Sequence, residues 1–208
     1  MTFDDVMKEL ETMGTEQNRK VYRRHGVGEN MFGVSYANLG ALKKRIKRDQ
    51  ALAQALWASG NHDARVLATM VADPAQLGEA ELETWAGDLD CYVLVDNFVG
   101  MAFRSPAARA CMERWIRSDD EWIGRAGWNM LGQFAMHDPV LPDEFFTPYL
   151  HEIEVDIHTR KNRIRAAMNN TLIAIGIRSM HLEALAVAAA QRIGRVFVDH
   201  GETGCKTP

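Results

Sequence analysis

Apolar residues return every three or four positions through almost the whole of this chain. No stretch keeps the period-two alternation of a half-buried strand. From Ala107 the apolar positions are 107, 108, 111, 112 and 115; from Trp122 they are 122, 123, 126, 130, 131 and 134. Each set lies along one face of a helix. The same pattern predicts helices over 3–13, 15–24, 35–58, 61–72, 79–87, 90–103, 143–157, 160–176 and 179–198. Between them stand turn-forming clusters: Gly26-Val27-Gly28, Ser59-Gly60-Asn61, Asp73-Pro74, His137-Asp138-Pro139 and Leu141-Pro142-Asp143. Ser105 before Pro106 reads as a helix N-cap with proline at the first helical position.

Breaks that recur this often, with short connections, predict antiparallel helical hairpins stacked side by side. No repeat is visible in the residues themselves, so any repetition is structural. The 208 residues, 47% hydrophobic and 25% charged, suit one domain over 1–208 with an irregular tail from about 199. No apolar run is long enough to span a bilayer, and MTFDDVMKEL lacks the apolar centre of a secretory signal. Three cysteines without a CxxC pair, Cys91, Cys111 and Cys205, read as reduced thiols of a cytoplasmic protein.

A net charge of −4 weighs against a polyanionic partner, yet distribution matters more than the sum. Lys43, Lys44, Arg45, Lys47 and Arg48 crowd one segment; Arg160, Lys161, Arg163 and Arg165 crowd another. Acids gather elsewhere, at Glu79 to Asp90, Asp119 to Glu121 and Glu152 to Asp156. Each cluster taken alone reads as a solvated helix face. Two of them near helix ends raise the weight of an anionic ligand.

Four segments carry a more specific signal. WIRSDDEWIGRA (115–126) ends one helix, turns on Ser118-Asp119-Asp120, and begins another with Trp122 and Arg125 in its first turn. YVLVD places Tyr92 and Asp96 four residues apart, on one helix face. MFGVSYANLGALKKRI (31–46) sets a Phe-Gly turn before a helix, and LWASGNHDARVLA (56–68) has a Leu-Trp pair followed by Arg-x-Leu-Ala. Together these resemble the HEAT-like DNA alkylation repair glycosylases, on which most of 30–180 can be laid. The resemblance implies an all-α HEAT-like helical solenoid, duplex DNA carrying alkylated purines as the partner, and no metal or organic cofactor.

The chemistry it implies is loss of a cationic base, such as N3-methyladenine or N7-methylguanine, through an oxocarbenium-like sugar. Asp96 would stabilise that charge and orient a water. Tyr92 would offer a π face, and Arg125 would hold a phosphate. Lys43, Lys44, Lys47, Arg48, Arg160, Lys161 and Arg163 would contact the DNA backbone. The family is understood to work without the pocket that other glycosylases use for a flipped base. The chain departs from the pattern at Tyr92, where the family carries tryptophan, and at Asn170, where a second aromatic is expected. A gap of about five residues after Asp96 leaves Asp90 or Asp88, with Trp85 as the aromatic, open as the counterpart.

Other features have plainer readings. Arg125 can pair with Glu121 one turn back. Trp57, Trp115 and Trp122 read as packing residues, whereas Trp85 and Trp128 are not clearly claimed by the periodic core. Met101, Met112, Met130 and Met168 read as core filler. His151, Glu154 and His158 share a helix face that would suit a metal, but no fourth ligand is evident, so no metal is expected. The function expected is binding of duplex DNA with excision of alkylated purines. The alternative is a non-catalytic HEAT-like module that binds nucleic acid or a protein.

Overall fold

The computed structural model describes residues 1–208. Twelve α-helices and two short 3-10 turns are present, with no strand. The helices are α1 (Phe3–Met13), α2 (Glu16–Arg24), α3 (Tyr36–Ile46), α4 (Gln50–Ala58), α5 (His62–Val71), α6 (Glu79–Gly87), α7 (Tyr92–Ala102), α8 (Ala108–Trp115), α9 (Glu121–His137), α10 (Thr147–Asp156), α11 (Asn162–Arg178) and α12 (Met180–Ile193). They form two compact units: Met1–Ala107 with Gly201–Thr203, and Ala108–His200 with Gly204–Pro208.

Most helices begin where a short polar side chain closes the first turn. Thr2, Thr15, Ser35, Asp49, Asn61 and Ser179 each accept the amide three residues on, and Asp120 accepts those of Trp122 and Ile123. Asp49 explains one departure from the periodicity. The single helix expected over 35–58 is two, because α3 stops at Lys47, whose φ is 67°, and Asp49 caps α4. The apolar period runs through the break because both helices pack on α5. The last helix is shorter than its pattern and ends at Ile193, where Gly194 takes φ 69°. Ser105 does not start a helix directly. Its hydroxyl donates to the Leu77 carbonyl and accepts the Ala107 amide, and α8 begins at Ala108.

In the first unit α3, α5 and α7 run parallel. Asp63, in the first turn of α5, accepts the amides of Phe32, Gly33 and Val34 just before α3. His62 lies 4.0 Å from Cys91, just before α7. Helices α4 and α6 run the opposite way behind them and meet at their C-terminal ends. There Trp57 stacks on Trp85 with centroids 4.2 Å apart and planes 6° from parallel. Offset contacts of this kind contribute about 0.5–1.5 kcal/mol beyond area burial.

In the second unit α9 and α11 are parallel and in register. Glu121 accepts the Arg163 amide, Thr171 donates to the Trp128 carbonyl, and Arg178 donates to the Ala135 carbonyl. The offset stays at 42 or 43 residues, the spacing of a two-helix repeat of HEAT type. A Cβ at Gly127 would come 2.4 Å from the Ile116 nitrogen, so α9 crosses the end of α8 at backbone distance. Trp85 and Trp128, the two that the periodicity leaves unplaced, are both core residues, 4% and 1% exposed.

Candidate functional site

Asp63 fixes the geometry from which the site is built. Its carboxylate is fully buried and takes three successive amides at 2.6, 3.0 and 2.8 Å. The turn it holds includes Gly33 at φ 80°, where a Cβ would strike the Thr15 carbonyl and the Arg19 side chain at 2.7 Å. This turn aims α3 so that Tyr36, Gly40, Lys43 and Lys44 fall on one side of it, with Lys47 at its C-cap.

Helix α7 presents Asp96, Asn97 and Gly100 in the same direction, and Arg104 follows just past its end. The two faces are joined where Asn97 Nδ2, midway along α7, donates to the hydroxyl of Tyr36, the first residue of α3, at 2.8 Å. Asp96 is exposed beside them. Desolvation pushes the Tyr36 phenol above its ordinary pKa; the Asn97 hydrogen bond opposes this, and the Asp96 charge adds to it. The Tyr92 hydroxyl is hydrogen-bonded to His25 Nδ1, and the rings meet edge to face at 5.9 Å. The aromatic that sequence pairs with Asp96 is therefore anchored from α2.

At the other end the faces enclose a hollow of about 490 Å³ lined by Gly40, Lys43, Lys44, Lys47, Arg48, Met70, Ala72 and Arg104. Arg48 pairs with Asp73 at 3.2 Å. The other four cations have no ion pair. From Asp96 to Arg104 is eight residues, roughly 12 Å of helix. The face thus carries a carboxylate among phenols at one end and a cluster of cations at the other.

The alternative carboxylates have other settings. Asp88 accepts the Trp57 indole N–H at 2.9 Å and pairs with Arg65 at 3.5 Å. Trp85 is covered by the stack on Trp57. Asp90 is exposed next to Cys91, whose thiol burial pushes up to about 12, so it is protonated at neutral pH. Cys91 and Cys111 are buried, Cys205 is exposed, and none is in a disulfide. No three His, Cys, Asp or Glu side chains converge as a metal site would require. Of the helix face considered for one, Glu154 pairs with Arg192 at 2.5 Å and His158 contacts the Ile193 carbonyl at 2.9 Å.

The family model described as DNA alkylation repair enzyme matches residues 6–200. The chain belongs to that family. Similar proteins include an uncharacterized protein of Listeria monocytogenes, 28% identical over 217 residues, covering 100% of this chain and 93% of the relative. One of Listeria innocua is 27% identical over the same shares. A solved structure matches with TM-score 0.91 and 32% identity, covering 96% of this chain and 86% of that one. It is described as from a new family of proteins related to the HEAT-like repeat DNA glycosylases with affinity for branched DNA structures.

The second basic cluster of this family member is largely engaged in its own unit. Arg160 donates to the Ile116 and Ser118 carbonyls at 3.3 and 2.7 Å, closing the end of α8, and lies 3.5 Å from Asp119. Arg165 binds the Phe197 and Arg160 carbonyls. Arg163 is half-buried, and Lys161 is exposed. Arg125 is only 6% exposed, with its guanidinium 3.4 Å from the Arg163 carbonyl. Glu121 receives the Arg163 amide rather than pairing with Arg125 in the way the one-turn spacing allows.

Sequence reading missed Tyr36, Asn97, His25 and Arg104. Tyr36 was within reach, being seven residues before Lys43 on the same helix face. Arg104 had a fainter signal: it is the first basic residue after Arg65 and follows an acidic stretch. The Tyr36–Asn97 and His25–Tyr92 pairs, 61 and 67 residues apart, had none.

Proposed function

We propose that this protein binds DNA through the shared face of α3 and α7, and that branched DNA is the form it prefers. The observation that carries the reading is the hollow ringed by Lys43, Lys44, Lys47, Arg48 and Arg104. Cations brought together from two helices, most of them unpaired, supply the counterion-releasing contacts on which DNA affinity rests. The preference for branches comes from the solved relative, whose affinity is for branched DNA structures. Fluorescence anisotropy with a continuous duplex and a four-way junction of equal length tests both parts. Wild type should bind both at low salt and the junction more tightly. Lys43→Glu/Lys44→Glu should weaken each by about tenfold or more, as phosphate contacts are lost. Absence of DNA binding at low salt would overturn the reading.

Excision of alkylated purines is the second reading, and exposed Asp96 beside Tyr36, Asn97 and Tyr92 supports it. A carboxylate open to solvent at the end of a nucleic-acid face suits an oxocarbenium-like sugar without enclosing the base. Tyr92, tied to His25, would present its ring rather than its hydroxyl. The guanidinium of Arg125 is buried within the second unit, which does not suit a phosphate clamp.

A further inference from the structure

We propose that the hollow at the end of α3 is a seat for a terminal phosphate, so that this protein recognises a phosphorylated strand end at a nick, gap or branch. The proposal rests on the DNA-binding reading and specifies which group enters the hollow.

Shape is the first argument. At about 490 Å³ the hollow lies within the range of small-molecule sites. Met70 and Ala72 supply an apolar floor, and cations stand around the rim. A continuous duplex offers its phosphates on a convex surface and reaches such a rim only. A strand end can enter. Charge is the second. Lys43, Lys44, Lys47 and Arg104 face the space with no ion pair, and Asp73 at the edge is matched to Arg48. A backbone diester brings one negative charge; a terminal monoester brings about 1.5 to 2 at neutral pH and an extra acceptor oxygen. Four unpaired cations around one small space match the monoester better.

Backbone is the third. Lys47 is the one non-glycine residue with positive φ, 67°, at a position after a helix where glycine is the unstrained choice. Its ammonium is on the rim because α3 ends there, and the end of α7 places Arg104 opposite. Gly40 lines the approach, and a Cβ there would meet nothing within 4 Å. Free polyphosphates share this chemistry, so the test must separate them from a strand end.

The test is anisotropy on a nicked duplex, labelled on the intact strand, with the nick ending in a 5′-phosphate or a 5′-hydroxyl, alongside a continuous duplex. Inorganic pyrophosphate is titrated in a parallel calorimetric arm. Wild type should bind the phosphorylated nick about tenfold more tightly than the hydroxyl form, a difference of charge-assisted contacts. Lys47→Gly and Arg104→Ala should bring that ratio to about one; each also weakens the continuous duplex, because both cations ring the DNA-binding hollow, so the deciding readout is the ratio between the two nicks within each variant. Glycine adopts the Lys47 backbone without strain, so Lys47→Gly keeps the fold, which a melting curve verifies. Equal affinity for the two nicks with strong DNA binding would overturn the seat and leave the DNA-binding reading standing. Pyrophosphate binding lost in both variants, with no preference between the nicks, would assign the hollow to a free polyphosphate and overturn the strand-end proposal. Failure to bind any DNA would remove the reading beneath it.

Discussion

Two aspartates in the first unit show how setting divides structural from chemical roles. Asp63 is fully buried and satisfies three successive amides ahead of α3. Removing it strands three donors, two of them buried and the third, on Phe32, partly so. Asp63→Ala should therefore cost about 3–5 kcal/mol, read as a shift of the denaturant midpoint, and a loss below 1 kcal/mol would show that the turn holds itself. Asp96 is the reverse case. It is exposed on α7, so Asp96→Asn should change stability by less than about 0.5 kcal/mol. Under the excision reading the same change should cut release of N7-methylguanine from methylated duplex DNA by roughly ten- to a thousandfold, the scale for loss of one electrostatic stabiliser. Wild type without release above background would leave the binding function and retire excision. An active enzyme indifferent to Asp96→Asn would move the chemistry to Asp90, since Asp88 is committed to Trp57 and Arg65.

At the scale of elements, the helices were legible because each buries one face, and the polar caps mark where most begin. The break after α3 escaped because its stop is a lysine in a glycine-like conformation and the apolar period continues beyond it. The site was half legible. The cations of α3 form a run in sequence, and Tyr92 and Asp96 sit one turn apart. What completes the face depends on α5 setting α3 and α7 parallel, and no local pattern encodes that. The repeat register of α9 and α11 was equally hidden, since side chains as different as Glu121, Thr171 and Arg178 maintain it. Gly127 tests how tightly the second unit depends on its helix crossings. A methyl there would meet the Ile116 nitrogen at 2.4 Å and the Trp115 carbonyl carbon at 2.7 Å, both backbone atoms that cannot swing aside. Gly127→Ala gains helix propensity of up to about 1 kcal/mol, but overpacking by about 1–3 kcal/mol or more outweighs it. A net loss of at least 1 kcal/mol is expected in thermal or chemical unfolding. A stabilised variant would mean that α8 and α9 separate at little cost.

For the whole molecule the question is how an acidic chain would attract a polyanion. Under the proposed DNA-binding reading, the net charge of −4 would repel DNA at long range while the α3–α7 hollow would attract it locally. Salt should therefore act mainly through contacts made, not through steering. With about four phosphates neutralised, the slope of log K against log salt should be about −3.6, a loss of roughly a hundredfold between 50 and 200 mM. The location of those contacts is separately measurable. In the second unit Arg160 and Arg165 are held by carbonyls and Arg125 is buried, so the first unit should carry most of the binding. Hydrogen exchange with and without DNA junctions should show slowed amides over α3, the turn at Lys47 and the segment from Asp96 to Arg104. Helices α10 and α12 should exchange as before. Protection concentrated instead around Lys161 and Arg163 would transfer the interface to the second unit. The Lys43→Glu/Lys44→Glu variant decides whether protection reports contact: it should lose the protection over α3 while its unliganded exchange stays that of wild type.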